Sequence, residues 1–350
     1  MSDFERHPTS GAPYIKHPET GKKSMYGRAS SGGKQLDDTR ALEQWQNRMV
    51  ALGVAMSVEA QDMIYAIRDG DKDSREWKDE MDEAIELALK VSKAKIAAER
   101  GTYAHLLVEE DGPNAMLAIG TKGTRQWVNE DEVKEIVAGG ILLDVHPNSQ
   151  RVIVQAWRDL IEAFELEVLT QEHRVVCDEW RLAGTLDGIA RLGRDISFRL
   201  PSGEIVDLFA GEVVLLDTKT GRFRRDPKGF PLYWSAYASQ LHAYVNALPY
   251  NVTTGLREAW PAEWGVMNQK WALIVHIPVA EILAGTQTTA ELVLVDVEIG
   301  GIDLGLVAQI KENRKLTRFG VLGPNEPAVV IEGIAKLKQA EKPLMDQSDW

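Results

Sequence analysis

The stretch LLDTKTG, residues 215–221, sets Asp217 and Lys219 two positions apart inside an apolar run. Side chains alternate across a strand, so the acid and the lysine share a face while Thr218 points away. A lone charge in a sheet core is costly unless it is paired or metal-bound. A salt bridge at a strand end is the plain reading. The preceding apolar segment, AGTLDGIARL, carries Asp187 between Gly184 and Gly188, small residues that let a backbone or a ligand come close. Two strand acids can converge on one divalent cation, and oxygen ligands select Mg²⁺ or Mn²⁺. Lys219 beside the attacking water could orient it, help deprotonate it and stabilise charge on a phosphate.

Three further groups have the same order of interest. His105, in ERGTYAHLLVEE, falls on an expected helix and could supply a nitrogen ligand; Glu109 is one turn on and shares its face, and Gly101 and Thr102 permit close approach at the helix start. Gln240 and Tyr244 are i and i+4 on another expected helix, so an amide and a phenol lie on one side, able to hold a phosphate or a metal's water shell. GRFRRDPKG, with Arg222, Arg224, Arg225 and Lys228, is a dense basic run following the D-x-K strand and reads as a phosphate-tracking patch. Each has a plain alternative: a core histidine, an amphipathic helix, a solvated loop.

The elements that must position these residues follow from pattern. Residues 1–36 are rich in Pro, Gly, Ser and His and read as a flexible N-terminal arm. Residues 37–68 have few breakers and an Asp pair at the start, which predicts one helix. DGDKDSREWKDE reads as a solvated charge run, and MDEAIELALK onward as helices. A further helix is expected at 149–165 with Ser149 as N-cap. EVLTQEHRVVC, WRLAGTLDGIARL and EIVDLFAGEVVLLDTK read as consecutive strands, LYWSAYASQLHAYVNAL as a helix, WALIVHIPV and ELVLVDVEI as strands, and LGLVAQIKENRKL as a closing helix. This gives an α/β fold, a mixed central β-sheet flanked by helices with a helical N-terminal part. The expected divisions are an arm at 1–36, a helical part at 37–165, a sheet core at 166–320 and a tail at 321–350. Because 30 positions separate Asp187 from Asp217, residues 195–212 must make a hairpin excursion that returns in register if the acids are to meet.

Composition narrows the chemistry. The single cysteine, Cys177, rules out an internal disulfide and a four-thiolate iron–sulfur cluster, and fits a reducing cytoplasm. A net charge of −13 argues against passive polyanion binding, since that relies on clustered Lys and Arg. No apolar run is long enough for a membrane span, and the first residues lack the apolar core of a secretory signal.

The order G-T-x-x-H on a helix, G-x-x-D on a strand, D-x-K-T-G on the next strand and Q-x-x-x-Y on a helix resembles the PD-(D/E)XK nuclease superfamily. It is most similar to the RecB-type branch that includes many phage-encoded exonucleases. The matching stretch runs from Gly101 to Tyr244. The resemblance implies a restriction-endonuclease-like core, with His105, Asp187 and Asp217 as ligands of Mg²⁺ or Mn²⁺ and the main-chain carbonyl of Thr218 as a further donor. It implies Lys219 as the catalytic lysine and Gln240 and Tyr244 as residues that contact DNA or support the site. Glu172, in TQEHRVV, resembles the acid that often starts the first core strand in this branch. Relatives with an iron–sulfur cluster need four cysteines, and this chain departs from them there.

The expectation is therefore a Mg²⁺- or Mn²⁺-dependent deoxyribonuclease, an exonuclease acting on single strands or duplex ends. Its setting would be DNA recombination, repair or replication in the cytoplasm, the host's if the chain is phage-encoded. DNA is the expected partner, a homo-oligomer is left open, and no membrane is involved. Two rivals stand beside it. One is a catalytically inactive nucleic-acid-binding or assembly protein of the same fold; the other is a Mg²⁺ phosphohydrolase of nucleotides. The second would want a Walker-type glycine loop, and none occurs.

Overall fold

A computed structural model describes residues 4–94 (save 9, 18, 35 and 38), helical positions 101, 104, 105, 107 and 108, two short strands, and residues 147–316 save 233 and 234. In chain order the strands are β1 (Tyr14–Lys16), β2 (Lys23–Met25), β3 (Gly27–Arg28), β4 (Leu117–Ile119), β5 (Gln126–Val128), β6 (Leu166–Cys177), β7 (Leu182–Leu192), β8 (Ile196–Arg199), β9 (Ile205–Leu208), β10 (Val213–Lys219), β11 (Arg224–Arg225), β12 (Pro231–Leu232), β13 (Leu248–Pro249), β14 (Trp271–His276) and β15 (Glu291–Asp296). The α-helices are α1 (Arg40–Met56), α2 (Val58–Ile67), α3 (Arg75–Val91), α4 (Pro147–Ala163), α5 (Ser235–Val245), α6 (Val279–Leu283) and α7 (Val297–Leu316).

A seven-stranded mixed sheet forms the centre, in the order β13-β6-β7-β10-β14-β15, with β3 added alongside β7. β6, β7 and β10 run antiparallel in turn, β10 and β14 run parallel, and β14 and β15 antiparallel. The core of β10 alternates between two apolar layers. Leu215 packs with Leu241, Val245 and Leu304 of α5 and α7; Val214 and Leu216 pack with Ile153, Trp157 and Leu160 of α4 and with Ala104 and Leu107. Helices on both faces bury both sides of the central strands, which is why β10 reads as a near-continuous apolar run. The expected α/β class is what forms.

The 195–212 excursion is the hairpin β8–β9, with Ile196 opposite Leu208, and the chain re-enters the sheet so that Leu216 of β10 pairs with Gly188 of β7. EIVDLFAGEVVLLDTK is thus two strands, β9 and β10, separated by a turn at Gly211 with a φ of 90°. The expected helix over 37–68 is broken at Ser57, where α1 and α2 meet at 102°. Ser57 is extended, and its hydroxyl accepts from Ala60 N–H, capping α2 in place of continuing α1. α4 begins at Pro147, two residues before the expected Ser149 cap; proline suits a first helical turn. The strand expected over ELVLVDVEI stops at Asp296, whose carboxylate accepts from Glu298 N–H at the start of α7.

Residues 1–36 are not a free arm where described. Phe4, Ile15 and Tyr26 are buried, β1 and β2 form a hairpin, and β3 pairs parallel with β7. Tyr26 Oη donates to Asp178, which also holds Arg257. Apolar residues spaced among turn formers carried this packing, hidden by the Pro, Gly and Ser around them. The expected tail at 321–350 lies outside the described residues.

Candidate functional site

β7 sets the position of the site. Its one edge pairs with β6 throughout; its other edge pairs with β10 over 188–191 and with β3 at 182–183. Between those two partners, at 184–187, the edge is open. Leu216↔Gly188 is the last register pair of β10 with β7, and just beyond it Thr218 N–H donates to Asp187 Oδ2 at 2.6 Å. The two strand acids therefore meet where β10 leaves β7.

Asp217 is 1% exposed. Its Oδ1 accepts from Gln240 Nε2 at 3.2 Å. Its Oδ2 is buried, receives no aligned hydrogen bond and lies against Lys219 Nζ as an ion pair. Burial pushes the Asp217 carboxyl upward; Lys219 pulls it back, and Asp187 pushes it up again. Burial also opposes the charge on Lys219, but Asp217 and Asp187 outweigh it and raise the ammonium above its usual range. Two carboxylates thus face one lysine, an excess of negative charge in a dry place.

His105 Nδ1 stands 3.7 Å from Asp187 Oδ2. Its helix approaches because Gly101 has no side chain: an added Cβ would lie 2.7 Å from Thr220 Oγ1, one residue past Lys219. On α5, Gln240 hydrogen-bonds Tyr244, and Tyr244 Oη donates to the Thr185 carbonyl at 3.0 Å. Burial holds the Tyr244 phenol far above its ordinary range, so it acts as a neutral donor. Gly184 makes room for it, since a Cβ there would lie 2.5 Å from Tyr244 Oη.

Glu172 lies on β6 across from Asp187, between the register pairs Gln171↔Gly188 and His173↔Leu186. Its φ is 50°, the left-handed region that non-glycine residues avoid, so the strand is distorted where it passes the acids. Thr218 enters the site through its backbone N–H to Asp187; its side chain is buried. Glu109 and Thr102 lie outside the described residues.

The basic run is only partly available. Arg225 is bonded to Glu291 at 2.5 Å and to the Gly229 carbonyl, and Arg222 stands 3.5 Å from Glu281. This corrects the reading of Arg225 as a phosphate contact: acids on β15 and α6 lie close enough to take the guanidinium groups. Arg224 is exposed. Sequence reasoning missed other cations: a cavity of about 200 Å³ beside Gln240 and Tyr244 is lined by Arg6, Arg28 and Ser30. The composition of 1–36 concealed them. It also missed Tyr237, whose ring lies 4.9 Å below Lys219 Nζ. Tyr237 is three residues before Gln240 and seven before Tyr244, a spacing that shares one helical face and signals the contact.

The donor set suits a hard divalent cation: two carboxylates, one buried oxygen without a hydrogen bond, and an imidazole nearby. In the arrangement seen, Asp217 is turned to Lys219 and Gln240, and among the described residues no three His, Cys, Asp or Glu groups form a ready metal shell. A larger cavity, about 690 Å³, lies apart, between Trp180 and α7, and is lined mostly by apolar groups. No family model matches the chain, and no curated protein is similar to it.

Proposed function

We propose that the protein is a metal-dependent deoxyribonuclease of the PD-(D/E)XK type, an exonuclease that hydrolyses phosphodiester bonds. One observation carries the reading: Asp187, Asp217 and Lys219, with His105 beside them, gather at the opening between β10 and β7. Asp187, Asp217 and His105 would hold Mg²⁺ or Mn²⁺, with the Thr218 carbonyl as a further donor. When bound, such a cation supplies Lewis acidity and charge neutralisation to a phosphodiester.

The chain's own residues do the rest. Lys219, kept charged by the two acids, orients the attacking water and stabilises charge growing on the phosphate. Tyr237 lies under its ammonium and limits where it can go. Gln240 fixes one oxygen of Asp217, and Tyr244 ties α5 to β7 through Thr185. Arg6 and Arg28 flank the cavity beside this pair, and Arg224 is exposed beyond Lys219; together they offer cations to the DNA backbone of an otherwise acidic protein. The reading places the enzyme in DNA recombination, repair or replication in the cytoplasm, the host's for a phage-encoded chain.

Digestion of labelled single-stranded and duplex DNA tests it. With Mg²⁺ or Mn²⁺ the wild type should degrade DNA from an end, and EDTA should stop it. Asp217→Ala and Lys219→Ala should each lose activity by at least about 100-fold. DNA binding without cleavage in either metal would replace this reading with a non-catalytic one. Cleavage of free nucleotides alone would mark a nucleotide phosphohydrolase.

A further inference from the structure

His276 ends β14 and is the register partner of Lys219 on β10. Its side chain is 5% exposed. Both ring nitrogens are in contact: Nδ1 lies 2.7 Å from Glu291 Oε1, and Nε2 lies 2.8 Å from the Gly221 carbonyl oxygen. A backbone carbonyl only accepts, and so does an ionised carboxylate. Glu291 is ionised: its hydrogen bond from His276 and the adjacent Arg225 guanidinium hold its carboxyl down to about 2, against the opposing effect of burial. A neutral imidazole has one N–H and can serve only one of these partners. Both bonds require the imidazolium.

The ring's flat face meets Phe223, with centroids 4.2 Å apart and planes 11° apart, a contact that favours a cation. The charged and titratable groups around it are Lys219 on β10, Glu291 on β15, Arg225 on β11 and, behind Phe223, Tyr237 on α5. The segment directly after Lys219 is thus fastened at three points: the Gly221 carbonyl, the Phe223 ring and the Arg225 guanidinium. All three converge on the His276–Glu291 pair.

We propose that His276 is a positioning residue whose imidazolium fastens the basic segment 221–225 beside Lys219, so that the segment engages the nucleic-acid backbone only while His276 carries both protons. This rests on the nuclease reading above. Loss of one proton leaves a lone pair facing an acceptor in a dry site, and one of the two tethers is released. Arg222 and Arg224 then lose their fixed place next to the reacting phosphate.

The test begins with the full-length wild type and needs no variant. A proton–nitrogen correlation spectrum of the imidazoles should show both ring nitrogens of His276 protonated at about pH 6. Amide exchange of 221–225, corrected for its intrinsic pH dependence, should quicken about tenfold by about pH 8.5 as the tether is lost. Binding of a fluorescent single-stranded oligonucleotide in EDTA should weaken about tenfold over the same range. His276→Asn should bind weakly at every pH and be flat across it, with kcat at saturating DNA and Mg²⁺ within about threefold of the wild type. Phe223→Leu, which keeps both hydrogen bonds, should shift the binding profile to lower pH. A singly protonated ring at about pH 6, or a segment indifferent to pH, overturns the inference even if DNA is cleaved. A segment that loosens with pH in a protein that neither binds nor cuts DNA leaves the tether standing and removes the nuclease reading.

Discussion

Asp217 is a carboxylate that burial alone would drive to its neutral form, beside a second acid that adds to the pressure and a lysine that relieves part of it. A divalent cation would remove the remaining excess. Saturating Mn²⁺ should therefore raise the melting temperature of the wild type by about 5 °C, and Asp217→Ala should show no such rise in calorimetry. Glu291 gives a second residue-scale prediction. Its folded carboxyl is lowered from 4.5 to about 2, so its ionised form favours the fold. That contribution is whole above about pH 4.5 and is lost as the pH falls toward 2. Glu291→Gln should lower stability at neutral pH and flatten the acid limb of unfolding followed by circular dichroism, whereas an unchanged acid limb would count against the bond to His276. At this scale the charged pair in an apolar strand was legible, because a buried charge has few explanations. His276 carries the same signal, a titratable residue closing an apolar run, but its partners Gly221 and Glu291 are set by sheet register, which no local pattern reveals. Arg225 was misread for the same reason: a basic run looks available until the acids of other strands are placed beside it.

Between elements, closeness is set by the smallest residues. Gly184→Ala should push Tyr244 and α5 away from β7, costing about 1–3 kcal/mol in denaturant unfolding and loosening the Gln240 bond to Asp217. Activity should fall further than stability alone accounts for, and equal melting with full activity would contradict the packing seen. Most elements could be read from period, since strands of this sheet are apolar runs and α5 and α7 are long and free of proline. The breaks could not. Ser57 caps a new helix where the surrounding sequence keeps helical composition, because one hydroxyl accepting from Ala60 N–H decides the direction of the chain. The hairpin β8–β9 was anticipated from the need to return Asp217 to Asp187, an argument from function to topology that the register bears out.

For the molecule as a whole, the main departure from expectation is the N-terminal segment. Composition predicted an arm, yet Ile15 is fully buried and β3 extends the edge of β7 beside the site. Removing residues 1–34 should therefore lower the melting temperature sharply or prevent recovery of folded protein, where loss of a true arm would leave it unchanged. The helical layers were legible because both faces of β10 are apolar, and that pattern requires cover on both sides. Among the described residues no single helix is long and apolar enough to cross a membrane.

The parallel pairing of Gly27 with Leu182 has a consequence for how the chain is made. The first strand emerges from the ribosome long before its neighbour exists, and must wait through the synthesis of three helices and two hairpins. Joining ends so distant along the chain is slow, because the entropy of closing the loop is spent before the contact forms. The sheet can close around the acids only after β7 has left the tunnel, so a nascent chain stalled earlier holds an unmatched edge and an incomplete centre.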